Sequence, residues 1–275
     1  MGEKLYSLIV NWWYIVKSHY PLSYKLKVIW KSLIGLILLP WYSYTNRNYF
    51  NIDWLRLYGH NYQLVLWQYY EDWVRMEYYF HTDKKNPVII DGWASIWDSM
   101  LYFKNIYPQS EIHSFEPDTI AFGYLEKNMH HNQLTNVHLY KKAISTSNED
   151  IVFYYDDEPS YSHSTIAGRM NKNKTVIPAV DIMDIIWNKE IDLLKLDIEW
   201  SEISVMKRVH EQQWFTNIHN IILEYHHNIP WEQAQLGGFL EILEKNWYKY
   251  QIQAGCYPLY AKDKYQDIHI FAYRH

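Results

Sequence analysis

From Pro87 onward, short runs of apolar residues alternate with longer stretches in which apolar residues recur at helical spacing. The short runs predict buried strands, and the periodic stretches predict helices that cross from one strand to the next. Predicted strands cover residues 88–91, 112–116, 137–144, 191–198 and 218–225, and predicted helices begin near residues 100, 120, 203 and 238. This alternation favours an α/β fold with a parallel sheet and right-handed crossovers.

Further segments complete this predicted domain. Residues 151–155 form an apolar run that we expect to add an antiparallel strand, and residues 180–186 predict a short helix. The polar stretch 156–174 predicts an irregular loop that could border a substrate pocket. Residues 248–252 and 268–273 predict a closing hairpin pair.

Residues 1–50 are apolar, aromatic and basic. Six basic residues and a single acid give this segment a net charge of +5, which leaves −10 on the remainder of a chain whose total is −5. Its apolar stretch 28–39 is interrupted by Lys31 and is shorter than the ~20 residues of a membrane-spanning helix. Two interpretations remain open: a basic amphipathic helix that makes peripheral contact with an acidic membrane surface, or a helical cap that packs on the main domain or on a partner chain.

The domain boundary is predicted from the segment that follows. Apolar and aromatic residues at near-helical spacing predict helical structure across residues 51–86. The polar run 81–87 then marks the boundary. We therefore expect a helical, aromatic, basic N-terminal region at residues 1–82 and a Rossmann-like domain at residues 83–275.

Charge and cysteine content restrict the classes of function. The acidic main domain argues against nucleic acid as a substrate or partner. The single cysteine, Cys256, excludes an internal disulfide framework and indicates a reducing compartment. We therefore expect a cytoplasmic protein, with the peripheral membrane contact as the open question.

Four carboxylates lie at or near the ends of predicted strands: Asp91, Glu116, Asp197 and Glu224. Because the carboxyl ends of parallel strands meet at one edge of a sheet, we expect these side chains to surround one crevice, where ligands of open α/β sheets bind. Glu116 follows the first turn by about 25 residues, a spacing that suits hydrogen bonds from ribose hydroxyls.

Five short motifs, in this order, carry a resemblance to a known family. They are Val88-Ile89-Ile90-Asp91 with Ala94-Ser95-Ile96-x-Asp98-Ser99, Phe115-Glu116-Pro117, Lys142-Ala143-Ile144-Ser145, Leu194-Lys195-Leu196-Asp197-Ile198-Glu199, and Ile222-Leu223-Glu224-Tyr225-His226. Across residues 85–275 the chain resembles the FkbM-type family of S-adenosylmethionine-dependent O-methyltransferases. Each motif is short, but the ordered set is specific.

The resemblance implies a seven-stranded methyltransferase sheet with helices on both faces and an antiparallel last strand. It implies S-adenosyl-L-methionine as cofactor, with the first turn against its methionine and ribose parts, Glu116 on the ribose hydroxyls and Lys142-Ala143 near the adenine. The implied cofactor-binding residues are Asp91, Trp93, Ala94, Ser95, Ile96, Trp97, Asp98, Ser99, Glu116, Pro117, Lys142 and Ala143.

The implied reaction is methyl transfer to a hydroxyl of a sugar, a glycolipid or a secondary metabolite, so the expected partner is a small-molecule or glycan acceptor. A base that accepts the hydroxyl proton would assist this reaction. Glu224 and His226 point to the same face of a strand, whereas Glu199 and Glu202 could equally be acids that stabilise a helix N-terminus. The candidate bases, implied by the resemblance to face the substrate or placed near it, are Asp197, Glu199, Glu202, Glu224 and His226.

Three tryptophans depart from the family's motifs. The first turn of the family reads Asp-x-Gly-Ala-x-x-Gly and a later motif reads Asp-x-Glu-Gly, but this chain has Trp93, Trp97 and Trp200 at the glycine positions. An indole there would block the cofactor pocket, and a tryptophan disfavours a positive φ. One interpretation is a catalytically inactive methyltransferase-fold module that acts in binding or interaction.

The other interpretation is that these tryptophans are UGA codons that should be read as glycine. The chain has 14 tryptophans and 9 glycines, whereas average usage predicts about 19 glycines. Random decay should not choose the same replacement at three motif positions, and Trp187 and Trp247 also lie in turn-like contexts where glycine is natural. We therefore favour misread glycine codons over decay.

The sequence gives less support to two further kinds of site, a nicotinamide-dependent dehydrogenase site and a metal site. A nicotinamide-dependent dehydrogenase would need Gly-x-Gly-x-x-Gly spacing, which is absent, and would not end in the closing hairpin. The adjacent histidines at 130–131 and 226–227 have no third ligand nearby in the sequence. We therefore expect them to be surface residues and predict no metal site.

Overall fold

The computed structural model describes residues 16, 22–44, 48–52, 54–59, 65, 68–69, 72–73, 75–155, 173–198, 201–227, 233–254 and 266–274. The chain divides into two compact units. The sheet unit comprises Phe80–Ser95, Tyr107–Phe122 and Asn136–His275, and the N-terminal unit comprises Met1–Tyr79, Ile96–Ile106 and Gly123–Thr135. The boundary expected at residue 83 stays a prediction.

The described elements are named here in chain order. The strands are β1 (Tyr49–Ile52), β2 (Leu55–Tyr58), β3 (Val88–Gly92), β4 (Glu111–Phe115), β5 (Val137–Tyr140), β6 (Ala143–Ser145), β7 (Ile151–Tyr155), β8 (Asn173–Ile177), β9 (Ala179–Asp181), β10 (Ile191–Leu196), β11 (Ile218–His227), β12 (Lys249–Ala254) and β13 (Gln266–Tyr273). The α-helices are α1 (Leu22–Tyr44), α2 (Asp98–Ile106), α3 (Thr119–His131), α4 (Ile182–Ile186), α5 (Glu202–Glu211) and α6 (Leu236–Lys245).

Within the described residues, seven strands form the main sheet in the order β12-β13-β11-β10-β3-β4-β5. The five strands β5, β4, β3, β10 and β11 run parallel, and β13 lies antiparallel between β11 and β12. This arrangement confirms the predicted Rossmann-like α/β fold with an antiparallel last strand. The predicted pairing of the two C-terminal strands is confirmed as well.

The core of the sheet unit explains why these segments form strands. Every residue of β10 is buried, as expected for a parallel strand covered on both faces. Helix α5 buries an apolar stripe that includes Ile203, Met206 and Val209, and α6 buries Phe239 and Leu243. These side chains and the apolar residues of the central strands form one continuous hydrophobic cluster.

Several sequence-based element predictions need correction. The predicted strand 137–144 is two strands, because the exposed pair Lys141-Lys142 separates β5 from β6, and β6 pairs with β9 instead of the main sheet. The run 151–155 pairs antiparallel with β8 in a separate two-stranded sheet. The predicted loop 156–174 therefore ends in a strand, and its residues 156–172 lie outside the described residues.

The N-terminal unit also differs from its prediction. The segment 51–86 was expected to be helical. Residues 51–52 and 55–58 belong instead to the antiparallel hairpin of β1 and β2, whereas Val65, Gln68 and Tyr69 are helical. Leu55 and Leu57 are buried and alternate with half-buried Arg56 and Tyr58, so burial has a period of two in β2. Helix α1 continues through Pro40 to Tyr44. No helix among the described residues is long and apolar enough to cross a membrane.

Candidate functional site

A row of buried polar side chains crosses three neighbouring strands at the carboxyl edge of the main sheet. The strand register places Lys195 of β10 beside Asp91 of β3, and Asp91 beside Ser114 of β4. The ammonium of Lys195 lies 3.5 Å from the Asp91 carboxylate, and the Ser114 hydroxyl donates to the same carboxylate at 3.3 Å. All three side chains are fully or almost fully buried.

Lys195 links this row to the first turn and to Asp197. Its ammonium donates to the backbone carbonyls of Gly92 at 3.2 Å and Trp93 at 2.7 Å, and it lies 4.0 Å from the Asp197 carboxylate. A buried lysine needs such partners because its charge is costly to remove from water. Sequence reasoning assigned Lys195 no role, although a lysine in an otherwise apolar strand was the available signal.

The first turn is tightly packed and partly left-handed. A Cβ atom on Gly92 would lie 3.1 Å from side-chain atoms of Ile144, Leu196 and Ile198, so glycine fits best there. Trp93 and Ser95 have φ values of 66° and 52°. A left-handed conformation costs a non-glycine residue roughly 1–2 kcal/mol. The turn is therefore strained at the position where the family has glycine.

The backbone and the ring of Trp93 are both held by neighbours in the sheet unit. The amides of Trp93 and Ala94 both donate to the carbonyl of Phe115 at 2.9 Å. The indole packs against Phe153 of β7 at a ring-centroid distance of 5.6 Å. The side chain of Trp93 is thus part of the packing between the first turn and β7.

Glu116 lies directly after β4 and is buried. Its Oε2 accepts the backbone N–H of Ser95, and its Oε1 accepts that of Asp118, both at 2.8 Å. Burial raises the pKa of Glu116 to about 8. The charge of Asp118 acts in the same direction, while the two N–H donors and the charge of Lys195 oppose it. A protonated carboxyl group has one O–H donor and keeps acceptor capacity beside the two N–H bonds, so Glu116 can exchange further hydrogen bonds with a ligand.

The remaining predicted cofactor residues have different environments. Ala94 and Pro117 are buried beside the first turn and Glu116, Lys142 is exposed, and Ala143 is buried in β6. Residues 96–99 belong to the N-terminal unit. There, Ile96 and Ser99 are buried, Asp98 begins α2, and the fully buried Trp97 packs on Trp73 at 5.9 Å.

Five side chains form a second polar group at the same edge of the sheet, which we call the His226 cluster: Asp197, Glu202, Glu224, His226 and Asp267. The Nδ1 atom of His226 lies 3.2 Å from Glu202 Oε1, which also accepts the N–H of Ile198 at 2.9 Å. Its Nε2 atom lies 4.0 Å from carboxylate oxygens of both Glu224 and Asp267. The imidazole therefore has carboxylates on both sides.

The His226 cluster brings together four of the five predicted bases. Glu199 lies outside the described residues, as does Trp200. Asp267 was not predicted; it reaches the cluster because β13 pairs His226 directly with Asp267. Asp197, which follows β10, connects this cluster to Lys195 and the first turn.

The structure corrects the expectation that His226 is a surface residue, because its side chain is 3% exposed. Two overlapping sets have ligand-type atoms within 4.8 Å of one another: Asp197, Glu202 and His226, and Glu224, His226 and Asp267. Imidazole and carboxylate groups can hold a divalent cation. They can equally accept protons and hydrogen bonds from a hydroxyl.

Two tryptophans outside the site test the idea that glycine belongs at their positions. Trp247 has φ 63° and follows α6 in a Schellman arrangement, with Trp247 N–H donating to Glu244 and Tyr248 N–H to Leu243. Glycine is the usual residue at that position. For Trp187 the expectation is wrong: its φ is −56°, and the left-handed residue is Asn188.

Comparisons with known proteins agree with this geometry. Residues 83–250 match the family model described as the methyltransferase FkbM domain. The chain is 27% identical over 194 residues to methyltransferase sdnD of Sordaria araneosa, covering 58% of this chain and 71% of that protein. It is 23% identical over 158 residues to methyltransferase 1 of Beauveria bassiana, covering 50% of this chain and 63% of that protein.

Among solved structures, methyltransferase FkbM from Methylobacillus flagellatus is 15% identical and has a TM-score of 0.43. The alignment covers 87% of this chain and 60% of that one. Both sequence relatives are named methyltransferases, and they offer no support for the non-catalytic alternative.

Proposed function

The chain belongs to the FkbM methyltransferase family, and on that basis we propose that it transfers a methyl group from S-adenosylmethionine to a hydroxyl of a sugar, a glycolipid or a secondary metabolite. The observation that carries the proposal is Glu116. Its buried carboxyl group is held by backbone N–H groups of Ser95 and Asp118, directly after the second strand of the parallel sheet. That place at the carboxyl edge is where nucleotide-type ligands of such sheets bind.

The residues around Glu116 fit the ribose part of this cofactor. The two N–H donors fix the orientation of the carboxyl group, which can exchange further hydrogen bonds with the ribose hydroxyls through its O–H group and its remaining acceptor sites. Lys195 holds the carbonyls of Gly92 and Trp93, which keeps the first turn in place beside Glu116. When bound, S-adenosylmethionine supplies an electrophilic methyl group on a sulfonium sulfur.

The His226 cluster supports a hydroxyl as the acceptor group. Glu202 is an acceptor only, so we assign the proton of neutral His226 to Nδ1, which donates to Glu202. Nε2 is then the unprotonated nitrogen, and it lies 4.0 Å from carboxylate oxygens of Glu224 and Asp267. Carboxylates and a neutral imidazole nitrogen are acceptors, and an alcohol can donate to them.

In the proposed reaction, His226 is the general base. Nε2 takes the hydroxyl proton of the acceptor, and bound S-adenosylmethionine would supply the methyl group that replaces this proton on the oxygen. Glu202 stabilises the imidazolium that results, as a carboxylate does in catalytic triads. Asp197, Glu224 and Asp267 orient the hydroxyl groups of the acceptor by accepting hydrogen bonds.

The backbone at Trp93, a motif glycine position, supports misread glycine codons over decay. Trp93 and, outside the motifs, Trp247 have positive φ, which is a backbone conformation that suits glycine. Trp97 does not add to this support, because it is fully buried and is not among the residues with positive φ. Trp187 has a negative φ, so the backbone at this position does not favour glycine. Sequencing of the coding DNA tests the hypothesis, because UGG codons at positions 93, 97 and 200 would contradict it.

Calorimetry with S-adenosylhomocysteine tests the proposed function. The chain as written and the variant Trp93→Gly/Trp97→Gly/Trp200→Gly are titrated side by side, and we expect the variant to bind more tightly. The matched control is Glu116→Ala in the better-binding background, which should lose at least about tenfold in affinity since the ribose contacts are lost. If neither chain binds, the methyl-transfer proposal is wrong.

A further inference from the structure

Helix α1 exposes a stripe of large apolar side chains. Leu22, Leu26, Trp30, Ile37 and Tyr44 have exposed fractions of 70%, 59%, 63%, 75% and 88%. Exposed single apolar residues are common, but a series on one helix marks an interaction surface. We call these five residues the α1 stripe.

The spacing of the α1 stripe places it on one face. Its members follow one another by four or seven residues, and at 100° per residue they all lie within about 80° of the helix circumference. The stripe is about 33 Å long, at 1.5 Å per residue from Leu22 to Tyr44. Val28 and Ser32, on the far side of the helix, are buried. The helix therefore packs by the face that carries Val28 and exposes the α1 stripe on the opposite face.

The charged residues of α1 are all of one sign: the helix contains Lys25, Lys27 and Lys31 and no acidic residue. On the same helical wheel, Lys25 and Lys27 lie about 100° to either side of the centre of the stripe, and Lys31 lies about 140° from it. The ammonium of Lys25 donates to the carbonyl of Val16 at 2.9 Å. Lys27 is exposed, and Lys25 and Lys31 are half-buried. The segment 1–50 as a whole carries +5.

We propose that α1 lies in the interface of an anionic lipid bilayer, with the α1 stripe in the headgroup and upper acyl region and the lysines at the phosphate level. A large apolar face with tryptophan, bordered by lysines, is typical of helices that lie in the membrane plane. Long lysine stems can extend to the charged surface from such a position. This surface is independent of the proposed reaction.

A second copy of the chain fits the stripe less well than a bilayer. Two α1 helices packed in parallel through this face would bring the lysines at residues 25–31 together, and α1 has no acidic residue to pair with them. Antiparallel packing would separate these lysines but would leave them without a carboxylate from the partner helix. Anionic headgroups supply the opposite charge to this lysine-containing half of the helix, and each lysine near such a surface strengthens binding by about fivefold. Charge complementarity therefore selects the anionic bilayer.

Cosedimentation of the full chain with vesicles tests the proposal. The vesicles are pure phosphatidylcholine or phosphatidylcholine with 30% phosphatidylglycerol (roughly a cytoplasmic-leaflet level of anionic lipid). We expect preferential binding to the anionic vesicles. Leu26→Glu/Trp30→Glu/Ile37→Glu should lower the partition coefficient at least about tenfold, and Lys27→Gln about fivefold. The matched control is Val176→Glu, which places a charge on an exposed apolar position of β8.

Three outcomes would overturn the proposal: equal binding of the wild type and the triple variant, equal binding to both vesicle types, or no binding by the wild type. Analytical ultracentrifugation without lipid tests whether a second copy of the chain, instead of a bilayer, covers the α1 stripe. A wild-type dimer that the triple variant dissociates would assign the stripe to a second copy. Because the substituted side chains are exposed, circular dichroism should show the same fold and thermal midpoint for all variants.

Discussion

The imidazole Nδ1 of His226 lies 3.2 Å from Oε1 of Glu202, and both side chains are almost fully buried. The two residues are 24 positions apart, one on β11 and the other at the first position of α5. This contact fixes the orientation of the imidazole relative to the carboxylate of Glu202. The same strand carries a second imidazole–carboxylate pair at its other end, where His219 lies 2.8 Å from Glu190 on the surface.

The first prediction concerns this pair in a methyl-transfer assay. His226→Asn should lower kcat by roughly 10²–10⁴-fold, the usual contribution of a general base. Glu202→Gln should lower kcat less and should leave S-adenosylhomocysteine binding unchanged, because the carboxylate only orients and stabilises the imidazole. In wild type, the rate should fall at low pH as Nε2 becomes protonated, and His226→Asn should lose that limb of the profile.

The control for this prediction is His219→Asn, which removes an imidazole from the same strand and should leave kcat within about twofold, as surface substitutions usually do. A chelator decides between the base and a metal at the same cluster. If EDTA abolishes wild-type activity and Mg²⁺ restores it, the cluster holds a cation, and the assignment of His226 as base is wrong.

The second prediction concerns the pH dependence of stability. Between the ordinary glutamate pKa of 4.5 and the raised pKa of about 8, Glu116 is neutral in the folded chain and ionised in the unfolded chain. The unfolded state then binds fewer protons, so this group lowers the free energy of unfolding as pH rises through that range. Glu116→Gln cannot ionise, and relative to wild type it should gain roughly 2 kcal/mol or more between pH 5 and pH 8.

Urea denaturation at several pH values measures this difference. The quantity compared is the slope of the free energy of unfolding against pH. The variant also loses a hydrogen-bond acceptor, and this changes its free energy of unfolding by an amount that is independent of pH. Glu149→Gln, at an exposed position of the sheet unit, should change neither the offset nor the slope. If the difference in free energy of unfolding between wild type and Glu116→Gln does not change with pH, then Glu116 is ionised at neutral pH in the folded chain and the prediction is wrong.

The third prediction concerns Lys195. Lys195→Met should destabilise the fold by about 3–5 kcal/mol, because Asp91 loses the ammonium that lies 3.5 Å from it in a buried setting. Adding Asp91→Asn should recover part of this loss, since the buried charge is then removed. Lys245→Met breaks an exposed pair with Glu241 and should cost less than about 1 kcal/mol. Equal effects of the two lysine substitutions in chemical denaturation would contradict the structural role of Lys195.

The fourth prediction compares two exposed tryptophans. Trp247→Gly should stabilise the chain by about 1 kcal/mol, because φ at this position is 63° and glycine adopts it without strain. Trp187→Gly should destabilise by about 1 kcal/mol, because it removes a ring stacked on Trp214 at 4.6 Å and introduces flexibility at a negative φ. Thermal and urea denaturation measure both. The same sign for both variants would refute the conformational argument.

Local sequence pattern indicated the parallel part of the sheet. Strands β3, β10 and β11 each contain a short apolar run, and strands of this kind are typical of a parallel sheet that crossover helices cover on both faces. The acids at the strand ends, Asp91 and Glu116, were predicted for the same reason. The resemblance to the family's motifs also identified the positions where glycine is expected, although tryptophan occupies them.

Tertiary structure alone decided which of these side chains meet. The partners of Lys195 lie about 100 residues away at Gly92 and Trp93, and Asp267 joins His226 only through the register of β13 on β11. Likewise, the sequence is compatible with apolar residues of α1 that face either a core or the surface. The packing of the folded chain leaves Leu26 and Trp30 exposed. Sequence periodicity records which side of an element is apolar; the contacts across elements depend on how the buried faces pack, and that is a property of the whole fold.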